Sequence, residues 1–164
     1  MNVKNTSLLT SPAIRETPEL KGYSDAVFWR DGRNDWGVQL AIGPRFASLV
    51  TGSSNADRQQ PVTVPAQRLR ESVLVDKCDP RHVFRALNED KAVVSIGTIA
   101  AILATQPQDH DWMSFVAFVQ PPLAIVYPVS FRWRHGLGWA AGATPMTVPF
   151  PWYGDDRVVY PFLD

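Results

Sequence analysis

Apolar and polar positions alternate most regularly at residues 36–42, where Trp36, Val38, Leu40 and Ile42 are interleaved with Gly37, Gln39 and Ala41. Period two is the signature of a half-buried strand. Before it, residues 26–30 (Ala-Val-Phe-Trp-Arg) form a short β-prone run, and Asp31-Gly32-Arg33-Asn34 supplies turn chemistry. After it, Gly43-Pro44 turns the chain into residues 45–51, read as a third strand. This part of the pattern predicts a three-stranded antiparallel meander. Residues 52–61 are a loop by composition. Residues 62–64, held between Pro61 and Pro65, fit a short edge strand, and 72–75 another strand, with 67–71 ambiguous between them.

The period then changes. Asp79-Pro80 starts a helix, with aspartate as the cap and proline at the first helical position. Val83, Phe84 and Leu87 follow on one face, and the helix is expected to end near Asp90. Residues 94–104 are apolar enough to be a buried helix or a buried strand. Their length and alanine content favour a helix stopped by Pro107. In the last third, residues 115–119, 123–127, 129–134, 147–150 and 157–162 read as short strands broken by prolines. The predicted fold is α+β and predominantly β: a meander, one or two helices inserted near residues 79–106, and a C-terminal aromatic-rich sheet. Residues 1–22 are polar, contain Pro12 and Pro18 and lack usable periodicity, so they are expected to form an extended arm ahead of a single globular domain at 23–164. Such arms order on their own domain or on a neighbouring subunit. No internal repeat or low-complexity tract is present.

Composition sharpens this picture. Sixteen Lys+Arg balance sixteen Asp+Glu in 164 residues. That balance argues against nucleic acid as the main partner and against a polybasic membrane-surface protein. The basic residues are twelve Arg and four Lys, and the acidic ones twelve Asp and four Glu. Arg and aromatic residues are enriched at protein interfaces and Lys and Glu depleted there, so the skew points to a partner-covered surface, although a GC-rich genome produces a similar bias. Residues 112–164 hold twelve of the eighteen aromatics and seven of the fourteen prolines. The single cysteine, Cys78, excludes a disulfide framework within one chain and fits a reducing compartment. The first residues lack the apolar segment of a signal peptide, and the longest apolar stretch, 92–104, is too short to span a bilayer. The expectation is a soluble protein, intracellular or carried within a virion. The sequon-like Asn5-Thr6-Ser7 is accordingly discounted.

Candidate chemistry is sparse. Asp109-His110-Asp111 sets carboxylates beside an imidazole, as an acid/base pair would require, but it follows Gln106-Pro107-Gln108 and reads more simply as a polar loop. His82, His110 and His135 lack the close spacing of a metal motif. The run from Gly136 to Gly142 misses dinucleotide-loop spacing by one residue and reads as a glycine-rich turn between strands. Cys78 sits beside a helix start but lacks a nearby base, Ser53 and Ser54 lack the glycines of a nucleophile elbow, and Asp155-Asp156 beside Gly154 is turn chemistry. A helix-turn-helix at 79–106 would be followed by an acidic segment where a basic recognition helix is needed. On a strand, Arg132 and Arg134 face away from Phe131 and Trp133, and Arg68 and Arg70 repeat the spacing. Stacking on nucleic acid would need guanidinium and ring on the same face. The pattern fits a buried aromatic face backed by an arginine interface instead.

The function expected is therefore a non-catalytic protein–protein interaction protein. It would be a structural subunit or accessory protein of a larger assembly, of viral or phage shell or tail type, or a small inhibitor docking on one target. Its partner would be another protein or copies of itself, through Arg132, Arg134, Trp139 and Trp152, with no cofactor and no metal. The alternative is a small enzyme using His110 with Asp109 or Asp111.

Overall fold

The structure is a computed structural model that describes residues 8–30, 32–51, 61–105, 114–120, 125–148 and 150–162. It is α+β and mostly strand, as the pattern predicts. The described elements are β1 (Ala13–Thr17), β2 (Leu20–Tyr23), α1 (Asp25–Phe28), β3 (Gly32–Arg33), β4 (Gln39–Ile42), α2 (Pro44–Thr51), β5 (Val62–Val64), β6 (Gln67–Val73), α3 (Pro80–Ala86), α4 (Ile96–Thr105), β7 (Ser114–Val119), β8 (Tyr127–Arg134), β9 (Gly138–Ala143) and β10 (Arg157–Pro161), with a 3-10 turn at Glu89–Ala92. Eight strands form one mixed sheet in the order β1-β6-β10-β7-β8-β9-β4-β3. The β10–β7 and β4–β9 pairs are parallel and the others antiparallel.

Of the one or two helices expected near residues 79–106, two are present. Asp79 caps α3 by accepting from the Arg81 amide, and Pro80 opens the helix. Residues 96 and 98–103 of α4 are buried, which requires a helix apolar on nearly every side.

The early meander is corrected. Residues 25–28 are helical because Phe28 and Trp29 are both buried, whereas a strand would send neighbouring side chains to opposite faces. Residues 44–51 form α2. Phe46, Leu49 and Val50 are the buried positions, a spacing of three and four, and Pro44 suits the first turn. The alternation at 36–42 yields only the four residues of β4. Asn34 captures the preceding stretch, its side-chain oxygen accepting from the amides of Trp36 and Val38 and its amide donating to the Phe28 carbonyl. The consecutive antiparallel strands lie instead at β7, β8 and β9. The run read as a glycine-rich turn is thus a turn at 135–137 and then a strand. The strand expected at 147–150 is absent from its described residues, where the Val148 amide bonds the Pro145 carbonyl in a turn. Residues 125 and 126 of the segment expected at 123–127 precede β8 without joining a ladder.

Residues 8–23 pair with residues 62–75 of the same chain for almost their whole length. Leu9 bridges Leu74, β1 pairs with β6 from Ala13↔Glu71 to Thr17↔Gln67, and β2 pairs with β5. Pro18 and Pro65 sit where this ribbon leaves the large sheet for the small one.

The sheet has two unlike faces. The inner face carries Leu40, Leu69, Phe115, Phe131, Trp139 and Val159 and is packed with residues of α1, α2 and α4. Its centre is aromatic: Phe131 stacks on Phe115 at 4.7 Å and meets Phe46 edge-on at 5.5 Å. On the outer face Val116, Phe118 and Val158 pack with Leu74, Val83, Ala92 and Trp152 in a second cluster. That cover, built by α3, the 3-10 turn and the segments around Leu74 and Trp152, lies over β7 and β10.

Candidate interaction surface

Beyond β7 the outer face is open among the described residues. Cross-strand register places Ser130 opposite Gly142, Arg132 opposite Ala140, and Ala140 beside Ala41 on β4. Residues directly opposite share a face, so β8, β9 and β4 present a floor of Ser130, Gly142, Ala140 and Ala41, with Arg132 in the same row as Ala140 and Ala41 and Arg134 one row beyond. Ala41 and Arg134 are exposed; Ser130, Arg132, Ala140 and Gly142 are half-buried.

One edge of this floor is raised by residues 144–148 and 150–153. Phe150 and Tyr153 are about half exposed, at 55% and 47%. Between Phe150, Trp152 and β8 lies a depression of about 40 Å³, lined also by Ser130, Arg132, Gly142 and Thr144. A Cβ on Gly142 would come within 3.3 Å of Ser130 Oγ, so the missing side chain keeps the depression open.

Arg132 is held from behind. It donates to Asp156 Oδ2 at 3.5 Å and to Ser114 Oγ at 3.4 Å, and its guanidinium lies 5.6 Å from the centre of the Tyr153 ring. Asp156 is 3% exposed and also accepts from Ser114 Oγ at 2.6 Å and from the Tyr153 amide at 3.0 Å. The carboxylate is thus buried with its bonds made and fixes the arginine.

The four residues expected to make contacts divide evenly. Arg132 and Arg134 lie on the open face. Trp139 and Trp152 are core residues, 1% and 4% exposed, and are corrected as contact residues: Trp139 packs edge-on to Phe115 and Trp133, and Trp152 against Phe118. Their places at the surface are taken by Phe150 and Tyr153, which the sequence reading missed. Their only sequence signal is the Pro-Phe-Pro-Trp-Tyr-Gly composition at 149–154, too broken by proline to bury every ring.

The remaining candidates do not converge. Asp109, His110 and Asp111, and likewise Ser53 and Ser54, lie outside the described residues. His82 and His135 are both exposed, and among the described residues no three His, Cys, Asp or Glu side chains gather to hold a metal ion. Burial pushes the Cys78 thiol above its ordinary pKa, and Asp79 and Asp76 push the same way, so it is not an activated nucleophile. Arg68 and Arg70 do meet an aromatic ring on their own face: both guanidiniums lie about 5 Å from the ring of Phe162, which follows the neighbouring β10. Alternation within one strand gave no sign of it.

No protein-family model, no curated protein and no solved structure matches the chain.

Proposed function

We propose that this chain is a non-catalytic protein that acts by docking on another protein, as a subunit or accessory protein of a larger assembly, through the outer face of β8, β9 and β4. The observation that carries the proposal is the uneven cover of the sheet. One half of the outer face is sealed by a packed cluster, and the other half is a floor of small side chains edged by exposed aromatic rings and arginines. A flat floor admits a broad partner, and aromatic and arginine side chains supply much of the binding energy at protein interfaces. Nothing in the described half-open depression arranges a nucleophile with a base. A second reading, docking on a single target as a small inhibitor, uses the same face and differs in stoichiometry.

The test is the native particle. Isolated gently, the chain is expected to run in a complex, and Ala140→Arg, at the centre of the floor, is expected to release it as a monomer with its thermal unfolding unchanged. A native monomer, or a complex that A140R leaves intact, would sink the proposal. The ratio of chains in the complex separates subunit from inhibitor.

A further inference from the structure

We infer that the depression between Phe150 and β8 receives a carboxylate side chain, aspartate or glutamate, from the docking partner, so that the open face selects an acidic protein segment. The inference rests on the docking proposal above and adds the chemistry of the partner.

Charge supplies the first argument. The chain is neutral overall, yet β8, β9 and β4 carry Arg132 and Arg134 and no acidic residue. Arg132 is partly balanced from beneath by Asp156, whereas Arg134 has no ion-pair partner among the described residues. The open floor is therefore positive by about one charge, and a partner that brings an acid restores the balance.

Geometry supplies the second. The Arg132 side chain is 36% exposed and, among the described residues, makes two bonds, to Ser114 and Asp156, leaving guanidinium donors for a ligand. Held in place beforehand, it loses less freedom on binding than a solvated arginine would. The hydroxyls of Ser130 and Thr144 line the same depression and have no hydrogen-bond partner among the described residues. They are donors for the second carboxylate oxygen. Exposed Phe150 walls the entrance with apolar surface, suited to the methylenes behind a glutamate head, and buried Trp152 backs it. A volume of about 40 Å³ has room for such a tip.

The experiment uses two fluorescein-labelled ten-residue peptides as probes, one alternating Glu with Leu and the other Gln with Leu, and reads anisotropy on the full chain. The Glu peptide is expected to bind at least about tenfold more tightly than the Gln peptide, an advantage that falls as salt is raised. Gly142→Val, which fills the depression, and Arg134→Gln, on an exposed side chain, are each expected to weaken the Glu peptide severalfold. Arg70→Gln, at the other arginine cluster, is expected to leave it unchanged. Equal binding of the two peptides, no binding of either, or a loss with R70Q but not with G142V would overturn the inference. If A140R still disperses the native complex in those cases, docking stands and only the acidic partner falls.

Discussion

Asp79 has two roles at the start of α3. Its carboxylate accepts from the Arg81 amide at 2.9 Å and pairs with the Arg81 guanidinium at 2.7 Å. The hydrogen bond from the Arg81 side chain is the main reason its carboxyl sits below the usual range; burial opposes it, and the amide bond and the charges of Arg81 and His82 reinforce it. Because the folded pKa is depressed, the stabilisation is present above the unfolded carboxyl pKa and is lost as pH falls through the folded one. Asp79→Ala is expected to cost about 1 kcal/mol, a lowering of the melting temperature of roughly 2–4 °C, while Asp79→Asn retains most of the cap. Calorimetry at neutral and acid pH checks this, because the gap between D79A and the parent should close in acid. The half-exposed ion pair itself adds little. Asp79 was legible in the sequence because a cap and its helix are neighbours along the chain. Asp156 was not: its partners Ser114 and Arg132 lie 42 and 24 residues away, so an Asp-Asp pair beside a glycine looked like a turn.

Among the elements, those that close on themselves were legible. The aspartate-capped α3, opened by proline, the apolar α4 and the β-rich runs of β7, β8 and β10 carry their own signals. Those decided by what packs on them were not. Helix α2 is written in residues with β propensity (Phe46, Val50, Thr51), yet it forms because Phe46, Leu49 and Val50 together reach the core. Strand β9 is mostly glycine and alanine and exists because β8 and β4 flank it. The closeness of that fit is visible at Gly138. Its φ is +81°, and a Cβ there would stand 2.4 Å from the Gln39 carbonyl oxygen on β4. Gly136 has a similar φ of +79° but open space around it. Gly138→Ala is expected to cost roughly 3 kcal/mol or more, from strain and overlap together, and Gly136→Ala about 1 kcal/mol from backbone conformation alone. Urea midpoints of the two variants test whether β4 approaches β9 this closely; equal losses would refute it.

Across the whole molecule, the N-terminal segment closes the sheet. β1 covers the free edge of β6, and Leu20 and Tyr23 that follow it belong to the inner core. Its polar pattern hid this role, because an edge strand with Ala13, Ile14 and Glu16 exposed needs little hydrophobic periodicity. Removing residues 1–17 uncovers the β6 edge, and the shortened chain is expected to self-associate as its concentration is raised, read by dynamic light scattering. A truncated chain that stays monomeric would show that β1 does not protect that edge. Sheet order also sets when the molecule can be finished. β6 and β7, with 40 residues between the end of one and the start of the other, do not pair with each other; β10 lies between them and hydrogen-bonds both. On the ribosome, therefore, β4 can already join the N-terminal half to β9, but the inner edge of β6 and the β7 edge at Phe115–Val116 stay raw until residues 157–161 have left the exit tunnel, and both must be shielded from neighbouring chains until β10 slides in between them.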